Sequence, residues 1–262
     1  MNSTQLQLLL AKVISTAKDT GNWIRAERED NFTNDKVEIK GLNDLVSYVD
    51  KGAEQKIVNE LINHFPAGFI VEENTRSEKL EYNWIVDPLD GTTNFVHGIP
   101  CYAISIALEH KGEIILGVVY EINRDECFYA TKGSGSFLNS RQIRVTNTET
   151  LKDSLIATGF PIHNFSRIEG YLKTLEFMMR NTHGVRRIGA AAADLCYLAC
   201  GRVDGFFEYN LNPWDVAAGA LIVKEAGGVV HDFSGGANWL FGKEIIASNG
   251  LIQSEFRASI AL

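Results

Sequence analysis

Trp84-Ile85-Val86-Asp87-Pro88-Leu89-Asp90-Gly91-Thr92-Thr93-Asn94-Phe95 is the stretch on which the reading of this chain turns. Trp84 to Val86 are aromatic and β-branched, the composition of a short buried strand. Pro88 cannot donate to a β ladder, so the spacing predicts that the backbone leaves the sheet at Asp87. Asp90 follows three positions later in a tight turn. Gly91, Thr92 and Thr93 are small residues suited to opening a helix with its first N–H groups free. A strand end, two acids and a helix start in succession suit a cation and a phosphate held side by side.

Two carboxylates about 5 Å apart repel by roughly 3 kcal/mol at an effective dielectric near 20. Such a pair persists where a proton is shared or a metal neutralises it. All-oxygen ligands favour Mg2+ or Mn2+ over zinc. A plain surface turn is the other reading, because Asp-Pro and Asp-Gly steps are common turn formers. Asp87 and Asp90 alone leave both readings open.

The chain has 262 residues, 45% hydrophobic and 22% charged, enough for one large domain or two intimate subdomains. A net charge of -8 and a pI near 5.3 argue against general nucleic-acid binding, which shows a basic balance. No apolar run approaches the ~18 residues of a membrane span. Lys12, Lys18, Asp19, Arg25 and Glu27 interrupt the N-terminal apolar residues, which does not fit a signal peptide. Cys101, Cys127, Cys196 and Cys200 show no framework spacing and fit a reducing cytoplasm. Cys196 and Cys200 lie four apart on an expected helix, without the further His or Cys that a zinc site needs.

Leu6, Leu9, Leu10, Val13, Ile14, Ala17 and Ile24 recur at helical spacing and predict a first helix over 5–28, weakened by Gly21. Residues 29–42, with Asn31, Asn34, Asp35 and Gly41, read as an exposed loop or hairpin. Leu45 to Phe65 contains a second helix, with Asp50 near its start in a capping position. Phe69-Ile70-Val71 is a brief strand ending at Glu72-Glu73-Asn74. Ala103–Leu108, Ile114–Tyr120 and Glu126–Ala130 alternate as an antiparallel meander, extended by Gly135–Leu138. Gly133-Ser134-Gly135-Ser136 reads as a hairpin turn, being neither a nucleophile elbow nor a dinucleotide loop.

Past Val145 strands and helices alternate. Ser154–Thr158, Val185–Ile188, Gly205–Tyr209, Val229–His231 and Ile245–Ala247 are expected strands. Ile168–Met179, Ala190–Cys200, Trp214–Ala226 and a segment after Asn249 are expected helices. The change of pattern suggests an N-terminal subdomain over 1–145 and a C-terminal one over 146–262. Asp215, in Trp214-Asp215-Val216-Ala217-Ala218-Gly219, stands at an expected helix start. There it would cap free N–H groups, and the small residues behind it would allow close packing.

Taken together, these segments resemble the inositol monophosphatase family. Asp87-Pro88-Leu89-Asp90-Gly91-Thr92-Thr93-Asn94-Phe95 is similar to its first signature. Trp214-Asp215-Val216-Ala217-Ala218-Gly219, running on to Glu225-Ala226-Gly227-Gly228, is similar to its second. The resemblance implies a layered α-β-α-β-α sandwich of the sugar-phosphatase type. The N-terminal half would be a mostly antiparallel α+β unit and the C-terminal half a mixed α/β unit, with the site at their junction. It implies a phosphomonoesterase, with inositol 1-phosphate the first-choice substrate, needing about two or three Mg2+ ions per site, or Mn2+ as a substitute. Glu72, Asp87, the Leu89 carbonyl, Asp90 and Asp215 match its metal ligands. Asp50 and Thr92 match a pair that, with Glu72, activates the attacking water. Gly91 and Thr92 match its phosphate-binding amides. Gly189, Ala191, Glu208 and Asp215 match positions near the substrate hydroxyls, with Arg186 close by. Lithium sensitivity and a cytoplasmic homodimer without membrane association are further implications. Val71 and Tyr48 depart from the small residues common in the family, which bears on whether Glu72 or Glu73 faces the metal.

Other readings of the acids fit less well. A haloacid-dehalogenase-type phosphatase reads Asp-x-Asp-Gly-Thr, one residue shorter than the spacing here. An EF-hand starting at Asp87 would place Leu89 and Gly91 at ligand positions and Gly98 where Glu belongs. The alternatives inside the resemblance are a broader phosphatase acting on sugar phosphates, NADP or fructose 1,6-bisphosphate, and a regulatory partner in RNA processing or transcription.

Overall fold

The computed structural model describes residues 1–33, 37–41, 44–73, 78–162 and 164–262. The N-terminal elements are α1 (Ser3–Ala26), β1 (Val37–Gly41), β2 (Asp44–Ser47), α2 (Tyr48–His64), β3 (Gly68–Val71), β4 (Tyr82–Asp90) and α3 (Thr92–His97). A meander follows, of β5 (Ala103–His110), β6 (Glu113–Glu121), β7 (Glu126–Thr131), β8 (Ser136–Leu138) and β9 (Arg141–Ile143). Next come β10 (Leu155–Thr158), α4 (Ile168–Asn181), β11 (Gly184–Arg186), α5 (Ala191–Ala199) and β12 (Gly205–Tyr209). The chain closes with α6 (Pro213–Glu225), β13 (Val229–His231), β14 (Glu244–Ser248) and α7 (Gln253–Ala258).

Strand alternation explains the layering. In β4, Trp84 and Val86 point to one face and Ile85 to the other. The first face buries α1 and α2 through Val13, Ile24, Ala53 and Ile57. The second face meets α5 and α6, which also cover Phe206 and Ala247 of a second sheet. The far side of that sheet, with Phe207 and Ile246, buries Tyr171 and Met178 of α4 and Phe256 of α7. The outcome is the expected sandwich, helix–sheet–helix–sheet–helix.

The first sheet has seven strands in the order β3-β4-β5-β6-β7-β8-β9, antiparallel except for the β3/β4 pair. The second has five in the order β11-β10-β12-β14-β13 and is mixed, with β10 parallel to both β11 and β12. The layer between them is thin because its residues are small. A Cβ at Gly117 of β6 would lie 2.9 Å from the Ala218 carbonyl oxygen of α6. One at Gly219 would lie 2.7 Å from Leu195 of α5. Among the described residues no helix is long and apolar enough to cross a membrane.

Several expectations need correction. The backbone does not leave the sheet at Asp87: β4 runs on to Asp90. Asp87 pairs with Ser105 and Asp90 with Ala103, three steps on β4 against two on β5. Pro88, lacking an N–H, falls within this bulge, where a ladder bond is not required. The segment before α2 is the hairpin option, β1 on β2, and α2 itself begins at Tyr48. Strand β9, pairing with β8, was not foreseen. Asn34, Asp35 and Asn74, assigned to loops from sequence, lie outside the described residues. All four cysteines are free thiols.

Candidate active site

Chain ends from both sheets meet around a cavity of about 370 Å³ whose wall includes Glu72, Asp87, Asp90, Glu208 and Asp215. Glu72 follows β3, and its N–H donates to the Val86 carbonyl at 3.3 Å, prolonging the parallel ladder. The β4 bulge presents Asp87, Leu89 and Asp90 within four residues. Asp87 Oδ1 accepts from the Leu89 N–H at 2.9 Å. Asp90 reaches across to α5, where its two oxygens accept from Ala191 N–H at 3.2 Å and Ala192 N–H at 2.7 Å. These are free donors of a helix first turn, and the positive end of its dipole favours the carboxylate.

Asp215 stands in the first turn of α6 and accepts from the Asn212 N–H at 2.7 Å, in a reciprocal capping box with Asn212. Its capping role and its cavity role are therefore both real. Ser105, opposite Asp87 on β5, donates its hydroxyl to the Trp214 carbonyl at 3.0 Å and ties the start of α6 to the first sheet. Behind the wall, Asp50 accepts from Ser47 N–H at 2.8 Å and Ser47 Oγ at 2.6 Å. Its other oxygen accepts from Thr92 Oγ1 at 2.8 Å. Thr92 opens α3 after Gly91, whose φ of 92° suits glycine.

Burial and mutual repulsion move these acids upward. Burial pushes Asp87 well above the usual carboxylate range, reinforced by the charges of Glu72, Asp90 and Asp215. Asp90 is raised to about 6 by burial, against the opposing pull of the α5 amides and Arg187. Asp215 is raised by burial, with the Asn212 N–H opposing and Glu72, Asp90 and Glu208 adding. Glu208 is pushed up to about 8 by burial and by Asp90, with Arg187 opposing. A Cβ at Gly159 would sit 1.9 Å from its carboxylate, so glycine there makes the room Glu208 occupies. Deeper still, Asp194 of α5 is 1% exposed, and neither of its oxygens has a hydrogen-bond partner.

Of the residues expected from sequence, Glu72, Asp87, Leu89, Asp90, Gly91, Thr92, Gly189, Ala191, Glu208 and Asp215 all line the cavity. Asp50 is joined to it through Thr92. Arg186 is placed elsewhere: it is exposed and donates to its own neighbour, the Val185 carbonyl, at 3.0 Å. Arg187 takes the wall position instead, over the Phe160 ring at 5.3 Å, and is the one basic side chain there among the described residues. Ser105, Gly159, Arg187 and Asp194 went unrecognised in the sequence. Only Arg187 left a signal, as the second of two adjacent arginines.

Five carboxylates facing one arginine form an all-oxygen donor set with excess negative charge, which fits hard divalent cations. Among the described residues no group of three or more His, Cys, Asp or Glu stands in a geometry that could hold a metal ion. Asp87, Asp90 and Asp215 instead accept from backbone N–H groups. Asp87 and Glu72 nonetheless meet through a side-chain hydrogen bond on the shared wall.

Five layers of helix and sheet with one acidic cavity at the chain ends make this a layered α/β sandwich protein. Residues 5–261 match the model of the Inositol monophosphatase family. An inositol-1-monophosphatase of Mesorhizobium japonicum is 45% identical over 220 residues, 83% of this chain and 83% of that protein. A protein of Vibrio cholerae named Nus factor SuhB is 41% identical over 244 residues, 92% of this chain and 91% of its own length. The crystal structure of extragenic suppressor protein suhB from Bartonella henselae superimposes with a TM-score of 0.90 at 42% identity, covering 97% of this chain and 98% of that one. The chain belongs to the inositol monophosphatase family.

Proposed function

We propose that this protein hydrolyses phosphomonoesters in the presence of Mg2+, with inositol 1-phosphate as substrate and water as the nucleophile. One observation carries the reading. Acids from the end of β3, the bulge of β4 and the first turn of α6 face a single cavity, beside a threonine hydroxyl held by a buried aspartate. Glu72, Asp87, Asp90, Asp215 and the Leu89 carbonyl would hold the Mg2+ ions. When bound, such ions neutralise phosphoryl charge and acidify water.

The chain's own groups supply the rest. Thr92 donates its hydroxyl to Asp50 at 2.8 Å, so that as its oxygen takes a proton from water its own proton passes to the Asp50 carboxylate, the Leu89 carbonyl at 3.1 Å serving only to orient the hydroxyl. The Gly91 and Thr92 amides would take phosphoryl oxygens. Glu208, with the backbone at Gly189 and Ala191, would orient the hydroxyls of the polyol, and Arg187 adds positive charge for an anionic substrate. The new bond forms from the water oxygen to phosphorus as the ester P–O bond breaks, the attacking water's proton passes through Thr92 to Asp50, and the leaving alkoxide takes a proton from a second water, Asp50 returning its own to solvent.

The test is phosphate release from a panel of phosphomonoesters with Mg2+, repeated with added Li+. Rapid release from inositol 1-phosphate, inhibited by Li+, supports the reading. Preference for NADP, sugar phosphates or fructose 1,6-bisphosphate would move the substrate within the same chemistry. Absence of release would favour a second reading, a role like that of the relative named Nus factor SuhB, which 41% identity supports. A cytoplasmic homodimer and a division of the chain near residue 145 belong to the same proposal.

A further inference from the structure

Helix α2 carries two buried carboxylates one turn apart, Asp50 at 1% exposure and Glu54 at 0%. Residues four apart share a helix face, so both project from the same side of α2. Asp50 serves Ser47 and Thr92. Glu54 is outside the cavity wall, and its Oε2 accepts from the Glu73 N–H at 2.7 Å. On the other side, the Glu72 N–H donates to the Val86 carbonyl at 3.3 Å. The two bonds orient the peptide planes before and after the Glu72 Cα, and each plane is rigid. The path of the backbone through Glu72 is thereby constrained on both sides.

This bears on a choice the sequence leaves open. Residues 72 and 73 form a bend just after β3, so which of the two adjacent acids faces the cavity is set by the path of the backbone through that bend. In the structure Glu72 lines it. We propose that Glu54 is a positioning residue, which by anchoring the Glu73 amide sets Glu72 rather than Glu73 on the cavity wall. The inference rests on the reading of Glu72 as a metal ligand and adds the residue that aims it. A carboxylate accepting from a backbone N–H makes a charge-assisted bond, stronger than a neutral one and well suited to pinning a turn.

The test is Mn2+ titration of the full chain without substrate, followed by electron paramagnetic resonance, on wild type, Glu54→Gln and Glu54→Met. Glutamine keeps an acceptor oxygen, whereas methionine keeps the volume without one. Glu54→Met is expected to weaken Mn2+ binding about tenfold or more, and Glu54→Gln to stay within about threefold of wild type. With Mg2+, the methionine variant should raise the KM for the ion more than it lowers kcat. Circular dichroism reports whether each variant folds. If Glu54→Met does not fold, Glu54→Asp, which withdraws the acceptor by one methylene, is expected to weaken Mn2+ binding in the same direction. A folded Glu54→Met or Glu54→Asp that binds Mn2+ like wild type overturns the inference, as does a Glu54→Gln as weak as Glu54→Met. Wild type that binds no Mn2+ removes the metal reading itself, and this inference with it.

Discussion

Thr92 and Asp50, 42 positions apart in the chain, are joined by a 2.8 Å hydrogen bond while Asp50 also accepts twice from Ser47. The carboxylate is thus held from α2 and spends one oxygen on the hydroxyl at the cavity. Thr92→Val preserves shape and removes the hydroxyl. Its kcat should fall by about 10²–10⁴, the usual worth of a positioned proton acceptor, and its stability by about 1–3 kcal/mol, since a buried Asp50 oxygen loses its donor. Steady-state kinetics beside a melting curve check this. Near-normal turnover in a folded Thr92→Val would remove Thr92 from the chemistry.

Asp90→Asn keeps a side-chain oxygen for one α5 amide but loses the charge. Hydrolysis should become undetectable while circular dichroism remains that of wild type. The measurement is phosphate release from the purified variant, and retained turnover would remove the metal-cluster mechanism.

Exhaustive chelation should abolish activity, and added Mg2+ should restore it. Mg2+ at about 100 times its Kd should also stabilise the folded state by about 2.7 kcal/mol, seen as a higher melting temperature. Undiminished hydrolysis in excess chelator would be decisive against the proposal.

Asp194 gives a pH-dependent stability. Burial first, then the charges of Glu208 and Asp90, raises its carboxyl well above the usual range. The folded state therefore holds this proton more tightly than the unfolded chain. The associated stability is fully present below the unfolded pKa of about 3.9 and is lost as pH rises through the folded value. Asp194→Leu removes two buried, unpartnered oxygens and should stabilise the protein by about 1–3 kcal/mol near neutral pH. The gain should shrink toward acid pH. Urea denaturation at several pH values tests it, and a gain that grows toward acid would contradict the sign.

Gly159→Ala places a methyl group where the Glu208 carboxylate lies. The carboxylate is the end of a flexible side chain and can move, so the fold should survive. KM for a polyol phosphate should rise about tenfold with a smaller change in kcat, since the loss is of substrate contact. An unchanged KM would show that Glu208 does not touch the substrate.

What the sequence disclosed and what it hid have physical reasons. Asp87, Asp90 and Asp215 sit beside proline, glycine and small residues that mark chain reversals and helix starts, so their places were readable, whereas the meeting of Asp215 with the other two followed only from the resemblance to the family. Residues 205–209 were expected as a strand, and β12 has those bounds. The passage of β4 through Pro88 was hidden because a bulge needs the partner strand to define it. Arg187 was missed in favour of Arg186 because the backbone turns out of β11 there, and Gly189, at φ 95°, redirects it into the cavity. Glu54 and Asp194 look in sequence like ordinary polar helix residues. Only packing shows that water does not reach them.

The close approach of Gly117 to Ala218 has a bearing well beyond the core. Asp87 belongs to the sheet on one side of that contact and Asp215 to the helix on the other, so the gap between the two acids is gauged by backbone touching backbone. A methyl group at residue 117, outside the cavity wall, would act as a shim and pry Asp87 and Asp215 further apart.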